Sequence, residues 1–386
     1  MKDKKKSRKK NHEKKISEEK NFQNFLEKKI NFFREKIFFQ NTLRERAMPW
    51  LNEKNAYKIW LSEIILQQTT VVQGTPYYEK FIKRYPTVKK LADATNDEVM
   101  KMWEGLGYYS RARNLHHTAQ FIANELDGKF PNTYDEILKL KGIGTYTAAA
   151  IASFAYDLPY AVLDGNVFRV LARFYGIDVP IDTTEGKKIF TDLAQQVLDR
   201  GNPAGYNQAI MNFGATVCTP AAPDCKNCAL ATECVALHTQ RTGQLPIKIK
   251  KPTKKNLYFQ YLIIQFDHCV FIRKRTAHDI WRDLYEFPLI ETENNIVDGS
   301  VEEILFIEST LKNYLRENFS LQKKSKIYKQ VLTHRNVFAT FWEIAVDTGF
   351  SFTESDFLKV PRHHLSTFAF PKVIDNYLKD KVLTLF

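Results

Sequence analysis

Two acidic side chains, Glu63 and Asp164, stand in sequence surroundings that favour opposite protonation states. Glu63 lies in the run WLSEIILQQT, where Trp60 and Gln67 share its face of a predicted helix. Partial burial among these neighbours would raise the pKa of its carboxyl, as a general acid working at neutral pH requires. The alternative is a solvent-facing glutamate on an amphipathic helix.

Asp164 stands at the start of another predicted helix, in the run LDGNVFRV. An ordinary N-cap is the simplest interpretation of that position. A helix N-terminus also lowers the pKa of a nearby carboxyl, so we expect this residue to stay ionised. One protonated acid and one carboxylate are what cleavage of a glycosidic bond through an oxocarbenium-like state needs.

Four of the five cysteines fall close together with the spacing C-x6-C-x2-C-x5-C, at Cys218, Cys225, Cys228 and Cys234. Four thiolates at this density suit a metal ion or an iron–sulfur cluster. Zinc is the alternative, although structural zinc usually uses two close pairs of ligands. The spacing resembles the [4Fe–4S] loop of the endonuclease III and adenine glycosylase superfamily, where it implies a structural cluster. Cys269, in a predicted strand, is expected to be a small buried hydrophobe.

The run LKGIGTYTA, which contains Gly142 and Gly144, lies between predicted helices at 134–140 and 145–155. The glycines permit a tight turn that brings backbone N–H groups against a phosphate at a helix N-terminus. The run resembles a helix–hairpin–helix DNA-binding element. Taken alone, it is also compatible with a simple turn between helices.

Around these residues the chain changes character along its 386 positions. Ten Lys or Arg against four Asp or Glu predict a disordered basic tail at 1–20. Residues 21–238 follow helical periodicity and are predicted to be a mostly α domain. A Lys-rich linker is expected at 239–257, and a smaller α/β domain at 258–386. In that domain we expect strands at 259–266, 269–273 and 337–346, and a helix at 301–318.

The net charge of +13 indicates a polyanionic partner, either nucleic acid or an acidic membrane. No apolar run approaches the roughly 18 residues of a membrane span. The first residues, MKDKKK, are not followed by the apolar stretch of a secretory signal. We therefore expect an intracellular, cytoplasmic protein associated with the nucleoid.

Several runs together resemble the adenine DNA glycosylase (MutY) family, over about residues 48–234. They are WLSEIILQQT at 60–69, WEGLGYYSRARNL at 103–115, LKGIGTYTAAAI at 140–151, VLDGNVFRVL at 162–171 and the cysteine loop. The resemblance implies a catalytic module of two helical subdomains, with the active site in the cleft between them. It also implies that the polyanionic partner is double-stranded DNA with adenine opposite 8-oxoguanine or guanine, and that the protein binds it as a monomer.

The resemblance further implies roles for individual residues. Glu63 would protonate adenine N7, and Asp164 would stabilise the cation at the sugar C1′. Two groups of residues would assist: Tyr146 and Asn166 by positioning these carboxyls, and Trp50 and Gln208 by lining the base pocket. DNA contacts near the lesion would come from Gln68, Thr69 and Tyr108.

Positions at which this sequence differs from related families restrict the expected activity. Tyr146 occupies the position where lyase members of the superfamily have a nucleophilic lysine, which implies a glycosylase that leaves the strand intact. Residues 258–386 resemble a Nudix-like domain without the Arg-Glu-x-x-Glu-Glu helix of active hydrolases, which implies a module that recognises 8-oxoguanine. Thr333 and His334, which are expected to contact the oxidised base from a loop, follow Leu332 where the family often has Phe-Ser-His. The run TPAAPD at 219–224 lacks the basic residues common in the cluster loop of the family, which implies weak phosphate contact there.

Two other functions fit part of the sequence. An endonuclease III-like lyase acting on oxidised pyrimidines is disfavoured by Tyr146, by Glu63 and by the additional C-terminal domain. A DNA-binding protein that senses lesions without catalysis is disfavoured because carboxylates near phosphates would weaken pure binding.

Overall fold

The computed structural model describes residues 24–44, 46–249, 253–276, 279–292, 309, 319–346 and 356–383. The chain divides into two compact units. The first contains Met1–Thr75 and Lys129–Lys250, and the second contains Pro76–Gly128 and Lys251–Phe386. The predicted tail at 1–20 lies outside the described residues, as does the predicted helix at 301–318 apart from Ser309.

Helices supply most of the described chain up to residue 249. In chain order the helices are α1 (24–43), α2 (Ala56–Leu66), α3 (Val71–Arg84), α4 (Val88–Ala92), α5 (Asn96–Trp103), α6 (Ser110–Glu125), α7 (Tyr134–Lys139), α8 (Thr145–Tyr156), α9 (Gly165–Tyr175), α10 (Thr184–Val197), α11 (Pro203–Thr216), α12 (Val235–His238) and α13 (Lys372–Leu383). Within the part of the chain that the structure describes, no helix is long and apolar enough to cross a membrane.

The first unit is built around α2, α8, α9 and α11. Helix α2 is buried from Ala56 to Ile65 apart from Lys58, so its single carboxylate, Glu63, is carried into the core with the apolar residues. Helix α9 has a strongly apolar face, which packs with α11 in a core that includes Val167, Leu171 and Phe213. These helices are rigid supports for the polar side chains that project from them.

The second unit contains the sheet. Its strands are β1 (Lys255–Phe266), β2 (Cys269–Lys274), β3 (Tyr285–Glu286), β4 (Leu289–Thr292), β5 (Phe319–Lys324), β6 (Tyr328–Val331), β7 (Arg335–Val346) and β8 (Leu358–Pro361). The long strands β1 and β7 are parallel, with Phe259 opposite Ala339, and the other pairs are antiparallel. Helix α13 packs on this sheet, where the rings of Tyr377 and Phe341 stack at 4.0 Å.

The predicted fold class is confirmed: a mostly helical part, up to residue 249, is followed by a C-terminal part that contains the sheet. The three predicted strands fall within β1, β2 and β7. Strand β7 begins at Arg335, two residues before the predicted start, because its pairing with β1 already includes Arg335 and Asn336.

Helices α4, α5 and α6 belong to the second unit, together with the sheet. Polar contacts join them to it: Arg113 Nη1 donates to Arg282 O at 2.7 Å, and the Tyr285 hydroxyl donates to Asp97 Oδ2 at 2.9 Å. A further hydrogen bond runs from Phe370 N to Glu104 Oε1 at 2.9 Å. Residues 76–128 are therefore held to the sheet by side chains that are remote in sequence.

Candidate active site

A cavity of about 670 Å³ opens in the first unit. Eight of the residues singled out from the sequence line it: Trp50, Glu63, Gln68, Thr69, Tyr146, Asp164, Asn166 and Gln208. They come from α2, α8, α9, α11 and the connections between them, so the fold brings together residues up to 158 positions apart. A cavity of this size is in the range that holds a small molecule or one nucleobase with its sugar.

Glu63 is the buried acid of this cavity, with 7% of its surface exposed. Burial raises the pKa of its carboxyl to about 7. A hydrogen bond with the Tyr146 hydroxyl opposes that rise in pKa, and the nearby Asp164 carboxylate adds to it. The raised pKa that the sequence predicts is therefore present, and near neutral pH a large share of Glu63 carries a proton.

Asp164 caps helix α9. Its Oδ1 accepts hydrogen bonds from Asn166 N at 2.9 Å and Val167 N at 2.8 Å, and its Oδ2 accepts one from Asn166 Nδ2 at 2.7 Å. These bonds lower its pKa, as does Arg169, but burial outweighs them and the net pKa is raised. The predicted net lowering of this pKa is wrong, because the sequence showed the helix start and did not show the depth of burial.

Tyr146 stands on α8 beside both carboxyls. Burial and the two neighbouring carboxyl groups, Glu63 and Asp164, raise the pKa of its hydroxyl well above the ordinary value. The hydroxyl oxygen also lies 3.6 Å from Met211 Sδ. Tyr146 therefore stays protonated and acts in this cavity as a hydrogen-bond donor.

Arg169 is a buried residue of the site that the sequence analysis missed. Its Nη2 donates to Asn166 Oδ1 at 2.8 Å and to Gly214 O at 2.6 Å, while its Nε donates to Cys218 O at 2.6 Å. A continuous set of hydrogen bonds thus runs from Asp164 through Asn166 and Arg169 to the first cysteine of the loop.

The four clustered cysteines line one small cavity together with Arg173. Arg173 Nη1 donates to Cys218 Sγ at 3.4 Å and to Thr219 O at 2.7 Å. Burial raises the pKa of the Cys228 thiol to about 12. Among the described residues, the side chains of His, Cys, Asp and Glu do not form a group of three or more that is arranged to hold a metal ion. Cys269, expected to be buried, is only half-buried, since it begins β2 beside the β1–β2 turn.

The predicted hairpin has the geometry that its glycines suggest. Ile143 N bonds to Leu140 O at 3.1 Å, and Gly142 has a φ of 82°, which favours glycine. Gly144 is the N-cap residue of α8. Because a glycine has no side chain, it cannot accept hydrogen bonds from the first N–H groups of that helix. Gly142, Gly144 and Thr145 are exposed. This helix start is thus accessible to an anion.

Thr333 and His334 lie in the second unit, in the turn between β6 and β7. Leu332 N bonds to Arg335 O at 2.8 Å across this turn, and His334 is exposed. The Thr333 hydroxyl lies 2.5 Å from the Tyr108 hydroxyl, at hydrogen-bonding distance. Two residues 225 positions apart, both predicted to contact DNA, are therefore adjacent in the second unit.

Two family models match the chain. Residues 61–196 match the HhH-GPD superfamily of base excision DNA repair proteins, and residues 260–380 match a NUDIX domain. The adenine DNA glycosylase of Buchnera aphidicola subsp. Baizongia pistaciae is 38% identical over 268 residues, which are 68% of this chain and 76% of that protein. The chain belongs to the adenine DNA glycosylase family.

Two other proteins are similar over a shorter stretch of the chain. The adenine DNA glycosylase of Mus musculus is 39% identical over 225 residues, 56% of this chain and 44% of the mouse protein. A solved structure of a thermostable thymine-DNA glycosylase is similar with a TM-score of 0.52 at 27% identity, covering 55% of this chain and 99% of that one. The chain with this sequence is therefore a DNA glycosylase of base excision repair, an enzyme that hydrolyses N-glycosyl bonds.

Proposed function

We propose that this enzyme excises adenine mispaired with 8-oxoguanine or guanine in double-stranded DNA. The observation that carries the proposal is the pair of carboxyls in one cavity, Glu63 with a pKa of about 7 and Asp164 with three hydrogen bonds to its oxygens. An acid and an anion with separate environments are the groups that cleavage of a glycosidic bond requires.

The adenine would leave the base stack and enter the cavity, which Trp50 and Gln208 line. Glu63 would protonate N7, so that the base departs as a neutral group. Asp164 would stabilise the positive charge that develops at C1′ as the bond to the base breaks. Water would then add to C1′ and lose a proton, which leaves an abasic sugar. Asn166 holds one oxygen of this carboxylate in place through its side-chain amide, and Tyr146 holds the acid.

The reaction would stop at base removal. Tyr146 occupies the position of the lyase nucleophile, and its hydroxyl stays protonated. Lys54 also lines the cavity, but its Nζ is engaged by both carboxylate oxygens of Asp157 at 2.9 Å. Since no lysine stands at the lyase position in the described part of the chain, no Schiff base is expected to form.

The cysteine loop would hold a [4Fe–4S] cluster through Cys218, Cys225, Cys228 and Cys234. Four thiols around one cavity fit such a cluster in kind, since cysteine thiolates are the usual ligands of iron–sulfur clusters. The cluster would supply a cross-link that fixes a loop with little core of its own. Arg173, which donates to Cys218 Sγ, would offset part of the thiolate charge.

Two separate sets of polar groups are candidates for reading the base opposite the adenine. Gln68 is exposed and has a φ of 57°, which turns the chain sharply between α2 and α3 in the first unit. In the second unit the joined hydroxyls of Tyr108 and Thr333, with the exposed His334, offer donors and acceptors. These could distinguish 8-oxoguanine from guanine, which differ at the N7 hydrogen and the C8 oxygen.

Single-turnover excision on duplexes that differ in one pair tests this function. With enzyme in excess, adenine opposite 8-oxoguanine and guanine should be removed, and adenine opposite thymine should not. Borohydride should trap no covalent complex. Strand cleavage with borohydride trapping, or excision of an oxidised pyrimidine in preference to adenine, would instead establish the lyase alternative.

A further inference from the structure

The turn at 104–109, which carries Tyr108, has an unusual backbone. Gly105 and Gly107 have φ values of 95° and 71°, and Tyr108 itself has a φ of 48°. A left-handed conformation costs free energy for a residue with a large side chain, so neighbouring contacts must hold it. The Tyr108 side chain is half exposed, at 50%, so the core cannot fix it by packing alone.

Arg111 makes the contacts that stabilise this turn. Its Nη2 donates to Leu106 O at 3.3 Å and to Gly107 O at 3.1 Å, the two carbonyls that precede Tyr108. The guanidinium carbon lies 5.0 Å from the ring centre of Trp103 and 5.7 Å from that of Tyr108. One planar cation thus contacts the backbone before Tyr108 and the ring of Tyr108 itself.

Holding the charged Arg111 side chain at this buried position costs desolvation free energy. Only 8% of the residue is exposed, and burial lowers the pKa of its guanidinium to about 10. It remains charged at neutral pH, so a buried cation is maintained here. Trp103 Nε1 donates to the same Gly107 carbonyl at 3.1 Å, so a tryptophan and an arginine converge on one peptide group of the turn.

We propose that Arg111 is a positioning residue for recognition of the opposite base: it fixes the Tyr108 ring so that its hydroxyl stays beside Thr333. This inference rests on the proposed function of Tyr108 and Thr333. Lysine cannot replace Arg111, because a single ammonium cannot donate to both carbonyls and also lie flat between two rings. The catalytic carboxyls belong to the first unit, so loss of Arg111 should change discrimination and leave maximal excision in place.

The test compares Arg111→Lys and Arg111→Met with Tyr108→Ala and with a matched control, Arg113→Lys. Arg113 lies on the same helix, but it contacts Arg282 O and Asp283, away from the turn. For each variant, the maximal single-turnover rate and the enzyme concentration at half-maximal rate are measured for adenine opposite 8-oxoguanine and opposite guanine. Thermal unfolding reports whether each variant folds.

Both Arg111 variants should lose about tenfold of the preference for the oxidised mispair, mostly in the half-maximal concentration, as expected for removal of a charged hydrogen-bond donor. Arg113→Lys should keep the preference. ¹⁹F NMR of protein labelled with 3-fluorotyrosine gives an activity-independent readout: the Tyr108 resonance, assigned by its absence in Tyr108→Ala, should broaden or shift in Arg111→Lys.

The outcomes separate the two claims. If Tyr108→Ala loses the preference while folded Arg111 variants keep both the preference and the Tyr108 resonance, the inference about Arg111 is overturned and the proposed function stands. If Tyr108→Ala keeps the full preference, the proposed reading by Tyr108 fails and the inference fails with it. A loss in Arg113→Lys equal to that in Arg111→Lys would show a general effect on the second unit, which also overturns the specific role.

Discussion

The pH dependence of excision should follow the protonation of Glu63. The pH at which the excision rate declines should depend on Tyr146. With a pKa of about 7, Glu63 is about 90% protonated at pH 6 and about 10% protonated at pH 8. A general acid acts only in its protonated form, so the single-turnover rate on adenine opposite 8-oxoguanine should drop about tenfold between these pH values.

Removing the Tyr146 hydroxyl should move this alkaline limb. The hydrogen bond from Tyr146 stabilises the ionised carboxylate and lowers the pKa of Glu63. In Tyr146→Phe that stabilisation is lost, so the pKa of Glu63 should rise, and the rate should begin to fall at a higher pH than in the wild-type enzyme. A displacement of about one pH unit corresponds to a hydrogen bond of about 1.4 kcal/mol, close to the lower end of the usual range for a charged acceptor.

The assay is single-turnover excision from pH 5.5 to 9 with enzyme in excess, so that product release does not limit the rate. Tyr156→Phe is the matched control, because this tyrosine is on the same helix but bonds to Phe130 O, away from the carboxyls. Its profile should coincide with the wild-type profile. A Tyr146→Phe limb that moves to lower pH, or a wild-type rate that is flat from pH 6 to 8, would refute the assignment of Glu63 as the acid.

Three other predictions concern the supports of the site. Arg169→Met should lower the excision rate about tenfold or more, since charged hydrogen bonds to Asn166 and to the Cys218 carbonyl are lost; an unchanged rate would show that the link is not needed. Protein purified anaerobically should contain about four irons per chain, and stoichiometric zinc without iron would contradict the cluster. Thr333→Ala combined with His334→Ala should reduce the advantage of 8-oxoguanine over guanine at limiting enzyme without lowering maximal excision, and a full wild-type preference would place discrimination elsewhere.

Local patterns in the sequence were sufficient to predict the helices on either side of the hairpin, the helices that carry Glu63 and Asp164, and the principal strands. These features are set largely by short-range geometry, and they occur at or within about two residues of the predicted positions. The raised pKa of Glu63 followed from its apolar neighbours within α2, because that helix is buried on nearly every side.

The remaining features depend on distant parts of the chain. Arg169 and Arg173 are one turn apart on α9, and two arginines in an apolar helix were a signal for buried carbonyl partners that the sequence analysis did not use. The sign of the Asp164 pKa shift depends on burial by other elements, so position at a helix start was not enough. Contact between Tyr108 and Thr333 arises only because the turn at 104–109 and the β6–β7 turn belong to one unit.

Excision by Glu63→Gln and Asp164→Asn tests the central claim, that these two carboxyls carry out base removal, most directly. Both substitutions preserve side-chain size, so the variants should bind duplex with adenine opposite 8-oxoguanine about as tightly as the wild-type enzyme in a gel-shift titration. Their single-turnover excision should fall by at least about 10²-fold, the usual contribution of general acid catalysis. Excision at the wild-type rate by either folded, DNA-binding variant would contradict the account.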